Sequence, residues 1–133
     1  MDISVIIYNE TTHEANIAGA NNPVYHVRNG ILNAYKPDKM PIGFYNGDEK
    51  PFHSHFIIAE KNDIFYMFSD GYADQFGGKD GKKLKYNAFK NLCISSYSMS
   101  CTDQEKFFSQ TFDNWKSNYK QVDDVLLLGV RFL

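Results

Sequence analysis

The stretch Ile64 to Gly78, I-F-Y-M-F-S-D-G-Y-A-D-Q-F-G-G, restricts the fold of this chain more than any other. Five apolar or aromatic residues, Ile64 to Phe68, run without a break and stop at Ser69-Asp70-Gly71. A short run of aromatic and branched side chains closed by a turn signal is a strand buried on both faces. Asp70 therefore sits where a core strand emerges, with packing behind it. Gly71 can turn sharply and leaves room beside the carboxylate. A rigidly mounted carboxylate at a strand end is what a hard divalent cation needs. Asp-Gly is also a common turn pair, so the dipeptide alone does not separate a ligand from a turn.

The segments before it read as strands. Asp2 to Asn9, Glu14 to Gly19, Val24 to Arg28 and Ile31 to Tyr35 form a meander, with Asn29-Gly30 a strong hairpin signal. Lys36 to Pro51 holds three prolines and two glycines and reads as an irregular loop. A strand resumes over Phe52 to Glu60, turns at Lys61-Asn62-Asp63 and leads into the core strand. Lys79 to Lys83 is polar and flexible. The spacing of Leu84, Ala88 and Leu92, with Phe89 beside them, predicts a helix from Leu84. A second helix opens at Thr102, where Thr102-x-x-Glu105 matches a capping box. Its stripe of Phe108, Phe112, Trp115 and Tyr119 is a face for docking on a sheet. Val125 to Phe132 is another near-continuous core strand. Strands first and helices second, joined by hairpins, make an antiparallel α+β fold.

A chain of 133 residues suits one small domain with a real core. A formal charge of −2 gives no reason to expect nucleic acid or an anionic membrane as partner. No run reaches the length of a membrane span, and the start lacks a basic-then-apolar leader. Cys93 and Cys101 read as reduced thiols, which fits a cytoplasmic setting. Neither has the His/Asp context of a thiol nucleophile.

Asp70 and the pair Asp123-Asp124 lie at the mouths of two hydrophobic strands, the arrangement of a shared cation site. Oxygen-only ligation selects Mg²⁺ or Mn²⁺ over zinc, and no Cys/His cluster competes. Asp123-Asp124 is equally a turn before a strand. His53 and His55, two apart on a strand, share a face but have no third ligand nearby, so they read as surface residues. Lys79, Lys82, Lys83 and Lys85 can meet a phosphorylated partner, but read first as a solvated loop.

Five segments in order resemble a known family: Ala18 to Pro23 (A-G-A-N-N-P), Asp38 to Gly43 (D-K-M-P-I-G), Phe68 to Gly71 (F-S-D-G), Asp74 to Gly78 (D-Q-F-G-G) and Val122 to Val125 (V-D-D-V). Together they look like the metal-dependent (PPM, type 2C) protein serine/threonine phosphatases, in the SpoIIE-like branch. The resemblance implies an antiparallel β-sandwich flanked by helices, an αββα arrangement, with a binuclear Mn²⁺ or Mg²⁺ centre at one edge. Carried over, Asp70 and Asp123 are metal ligands and Asp124 is a neighbour with a weaker claim. The implied activity is hydrolysis of phosphoserine or phosphothreonine on a bacterial regulatory protein, such as an anti-sigma-factor antagonist. The family domain also has an earlier segment, with a Gly-Asp motif that bridges the metals and a helix pair. The chain thus looks like the C-terminal two-thirds of the domain, with its N-terminal part missing. Two expectations follow: weak binding of one ion, and self-association through uncovered sheet. The alternative is a non-catalytic interaction module with the same fold and an incomplete metal centre.

Overall fold

The computed structural model describes residues 1–44, 46–47 and 50–133. Tyr45, Asp48 and Glu49, three positions of the loop expected over 36–51, lie outside the described residues. Nine strands and three helices follow one another as β1 (Ile3–Asn9), β2 (Glu14–Ala20), β3 (Val24–Arg28), β4 (Ile31–Tyr35), β5 (His55–Ile58), β6 (Ile64–Phe68), α1 (Gly71–Asp74), β7 (Phe76–Gly77), β8 (Lys82–Lys83), α2 (Tyr86–Ser95), α3 (Cys101–Lys116) and β9 (Leu127–Arg131) among the described residues. They build a three-stranded antiparallel sheet, β1-β2-β5, and a four-stranded one, β4-β3-β6-β9.

Strand alternation explains why β6 is apolar throughout. Ile64, Tyr66 and Phe68 point to the helices and join Tyr25, Tyr72, Phe89 and Phe108 in one core. Phe65 points the other way and packs with Ile17, Val24 and Ala59 between the two sheets. A strand with a core on each side has no polar face. Phe89 of α2 is fully buried, its ring centroid 4.8 Å from that of Phe68 and 5.0 Å from that of Tyr72. Helices therefore cover the outer face of the four-stranded sheet. The outer face of the other sheet is uncovered: Ile7 is 66% exposed and Phe56 59%, on either side of Asn16 in register.

Several local expectations change. The last strand is not a core strand. β9 is the edge of its sheet, and Leu128 and Val130 are exposed. Leu128 and Val130 stand opposite Met67 and Phe65 on the sandwich-facing side, but at the edge of the sheet too little lies over them to bury them. The second helix starts earlier than Thr102-x-x-Glu105 suggests, because Ser100 is the cap. Its Oγ accepts from the Asp103 N–H (3.1 Å) and donates to Asp103 Oδ2 (2.7 Å), so the N-cap lies two residues upstream of the expected one. Phe108 and Phe112 dock as expected, but Trp115 and Tyr119 turn to the β7–β8 hairpin. Lys79 to Lys83 is thus part of an ordered hairpin, Phe76 opposite Lys83 and Gly77 opposite Lys82. His55 alone is in a strand. His53 precedes it, its Nδ1 2.6 Å from Asp38 Oδ1.

A buried ion cluster closes the sandwich at the β5–β6 turn. Asp63 is fully buried and accepts a two-pronged contact from Arg28, Nε to Oδ1 at 2.8 Å and Nη2 to Oδ2 at 2.6 Å. The Glu60 N–H adds 2.8 Å to Oδ2. His26 Nε2 lies 3.2 Å from Asp63 Oδ1, yet without hydrogen-bond alignment. Its ring stacks on Phe65 at 4.5 Å.

Candidate metal centre

The core strand β6 and the residues entering β9 are stitched together at the end where the acidic motifs lie. Ser69 Oγ donates to the Asp124 carbonyl at 2.8 Å and accepts from the Leu126 N–H at 2.9 Å. The Ser69 N–H donates to the Leu126 carbonyl at 3.0 Å. Ser69 is therefore the residue that ties the two motifs, one on each side of a 55-residue separation.

Gly71 makes the approach possible by size, not by an unusual dihedral. A Cβ there would overlap the Asp124 carbonyl oxygen and lie 3.0 Å from its carbon. Gly71→Ala must push the two motifs apart. The expected cost is about 1–3 kcal/mol, the range for overpacking a tight contact. A fall in the urea midpoint checks it, and an unchanged midpoint would show that the contact is loose.

Asp70 precedes α1, and its carbonyl accepts from the Asp74 N–H at 2.9 Å. Its side chain caps nothing, so the carboxylate is not used by the fold. Asp123 Oδ1 accepts from the Asp124 N–H at 2.7 Å, which orients the Asp123 side chain. Asp70, Asp123 and Asp124 are all exposed, and none pairs with a cation among the described residues. The structure thus brings the Ser69-Asp70-Gly71 and Asp123-Asp124 segments into backbone contact.

Three further residues carry contacts to which the sequence had assigned no role. Tyr86, at the start of α2, has its phenol raised by burial and then by the negative charges of Asp74 and Asp70. Asp74 holds Lys83 Nζ at 2.8 Å. Asp38 is bound to the Ala18–Pro23 segment, its N–H donating to the Gly19 carbonyl and its carbonyl accepting from the Asn21 N–H, each at 2.9 Å. The His53 contact holds the Asp38 carboxyl below its ordinary range. The order of the motifs marked Asp38, but nothing local in the sequence links it to His53.

The donors suit a hard cation in kind. They are carboxylate oxygens free of competing lysine or arginine, and Mg²⁺ is commonly held by one or two carboxylates with several waters. In number they fall short of a protein cage. Among the described residues no group of three or more His, Cys, Asp or Glu side chains is placed to hold an ion.

The family described as "Stage II sporulation protein E (SpoIIE)" matches residues 1–133. No curated protein matches. Among solved structures, the SiaA-PP2C domain of Pseudomonas aeruginosa is similar at TM-score 0.89 and 23% identity, over 98% of this chain and 51% of that one. The RsbU and RsbW domains of a Mycobacterium tuberculosis protein are similar at TM-score 0.72 and 21% identity, over 98% and 35%. The phosphatase domain of the cell fate determinant SpoIIE from Bacillus subtilis, Mn presoaked, is similar at TM-score 0.69 and 12% identity, over 98% and 56%. The chain therefore spans about half the length of these structures or less, and at such identities the likeness concerns the fold.

Proposed function

The chain belongs to the SpoIIE family, with the fold of the type 2C protein phosphatases, and from that premise we propose that it carries part of the metal centre of a protein serine/threonine phosphatase. Asp70 and Asp123 are the proposed ligands of Mn²⁺ or Mg²⁺, with Asp124 beside them. The observation that carries the reading is the Ser69–Asp124 hydrogen bond at 2.8 Å. It holds in contact two acidic motifs that the chain separates widely. When bound, such ions lower the pKa of a water and neutralise phosphoryl charge. The chain's own part is to hold two carboxylates where β6 ends and where the chain approaches β9. The proposed substrate is a phosphorylated bacterial regulatory protein in the cytoplasm, of the anti-sigma-factor antagonist kind. No helix among the described residues is long and apolar enough to cross a membrane.

A second reading has its own support. The exposed apolar face of Val5, Ile7, Phe56 and Ile58 suits an interaction module that keeps the fold without catalysis. Hydrolysis of a phosphoserine peptide by the natural protein containing this chain, with and without Mn²⁺, separates the two. Mn²⁺-dependent release of phosphate is the expected result. A protein that is folded and silent with Mn²⁺ would leave only the module.

Self-association is proposed on the uncovered sheet face, where Val5, Ile7, Phe56 and Ile58 are exposed together. An apolar face of this kind favours association. In sedimentation the chain is expected to run as a dimer or larger, and Ile7→Lys with Phe56→Glu to return it to monomer. A folded wild-type monomer at high concentration would refute it.

A further inference from the structure

The β7–β8 hairpin is the one strongly basic feature of an otherwise acidic chain. Residues 79–85, K-D-G-K-K-L-K, hold four of the fourteen Lys and Arg and only one acid, in a chain of formal charge −2. Lys79 and Lys85 form no ion pair among the described residues. Lys82 pairs only with Asp80, at 3.2 Å and with both side chains largely exposed, a contact of little energetic weight.

The hairpin that carries this charge is braced. Trp115 Nε1 donates to the Gln75 carbonyl at 2.9 Å, and the Gly78 N–H donates to the Trp115 carbonyl at 2.9 Å. A Cβ at Gly77 would overlap that same carbonyl. Lys83 Nζ lies 5.8 Å from the centre of the exposed Phe76 ring, besides its contact with Asp74. The hairpin is also next to the candidate metal centre. Asp70 precedes α1, α1 ends at Asp74, and the hairpin begins two residues on. At its far end the Lys85 N–H returns to the Ala73 carbonyl of α1 at 2.7 Å.

Lys85 is conformationally anomalous. Its backbone has φ 72° and ψ 153°, a region that glycine alone ordinarily occupies. A lysine kept there, at the cap of α2 and beside Tyr86, points to a use for its charge. Strain of this kind concentrates at binding and catalytic sites.

We propose that the β7–β8 hairpin, with Lys79, Lys82 and Lys85, is a docking arm for the acidic residues that flank the phosphate of a phosphoprotein substrate. This rests on the phosphatase reading and specifies its substrate: a phosphoserine or phosphothreonine segment rich in Asp and Glu. A preordered arm loses little entropy on binding, and complementary charge sets specificity and encounter rate. A nucleic acid or an anionic membrane fits less well. Asp74, which meets Lys83 at 2.8 Å, and Asp70 at the other end of α1 set negative charge beside the arm and repel a continuous polyanion. A peptide can place its carboxylates on the lysines and its single phosphate at the acidic rim.

The test is fluorescence anisotropy of the whole chain with labelled phosphoserine peptides, flanked either by Asp and Glu or by Ala and Ser. An unphosphorylated acidic peptide, phosphatidylserine vesicles and a single-stranded oligonucleotide serve as further probes. The acidic-flanked peptide is expected to bind about tenfold or more tightly than the neutral one, with the preference weakening as salt rises. Lys79→Glu with Lys82→Glu is expected to abolish the preference while the unfolding midpoint holds. Lys85→Gly is expected to weaken it while raising the midpoint, since strain is relieved, an effect that a structural lysine would not produce. Equal affinity for the two flanks, or a preference that survives charge reversal, would overturn the proposal. So would tighter, lysine-dependent binding of vesicles or oligonucleotide. Binding here is read without Mn²⁺. Lysine-dependent binding by a protein that never hydrolyses phosphate sinks the phosphatase reading alone, whereas Mn²⁺-dependent hydrolysis blind to flanking charge sinks the docking arm alone.

Discussion

Asp63→Ala is expected to destabilise the domain by about 3–5 kcal/mol, because it leaves a partly buried guanidinium without its partner. Asp63 is fully buried and accepts from Arg28 through both oxygens and from the Glu60 N–H. Arg28 keeps an exposed contact to Glu60 at 2.7 Å, and its side chain is 27% exposed, so the lower end of the range is the expected value. The same cluster predicts an acid limb. Burial pushes the Asp63 carboxyl up, but Arg28, the Glu60 N–H and His26 outweigh it, and the carboxyl ends below its ordinary value of 3.8. Its contribution is complete above that value and is lost as pH falls through the lower folded one. His26 adds an earlier step. Burial, against the pull of Asp63, holds the imidazole below its ordinary 6.5. The unfolded chain then takes up a proton first, so stability falls as pH drops below that value. Urea midpoints at a series of pH values check both, and a midpoint flat from neutral pH to the carboxylate range would refute them. Asp63→Ala should lose the Asp63 limb along with its stability.

Asp70→Asn is expected to lower Mn²⁺ affinity by about a hundredfold or more. Losing a group that merely orients a metal ligand costs about 10–100-fold, and a direct ligand should cost at least the upper end. The fold should not respond. Asp70 is exposed and its side chain caps no helix, so the unfolding midpoint should move by no more than about 0.5 kcal/mol. Asp124→Asn should have a smaller effect on the metal. Calorimetric titration with Mn²⁺ reads these values. Equal affinity in wild type and Asp70→Asn would remove Asp70 from the site while leaving the sandwich as it stands.

The unbroken apolar run Ile64–Phe68 marked the central strand because a strand with a core on each face has no polar side to show. The same rule misled at Val125–Phe132. Those residues are apolar apart from Gly129 and Arg131, yet β9 is an edge with exposed Leu128 and Val130. Composition records that a residue favours burial, not whether a partner is there to bury it. Capping shows a similar limit: Thr102-x-x-Glu105 matched the pattern, yet the backbone path places the cap at Ser100.

The candidate site divides along the same line. Local sequence marked the end of the central strand at Ser69-Asp70-Gly71, the turn at Asn29-Gly30 and the acidic candidates Asp70 and Asp123, since each depends on neighbours within a few positions. Tertiary structure alone decided that Ser69 bonds the Asp124 carbonyl, that Asp63 is the buried anion of a cluster, and that Trp115 braces the lysine hairpin. Each of those joins residues at least 35 positions apart. Such contacts exist only after the chain has closed long loops, and no local pattern encodes which partner a side chain meets across them.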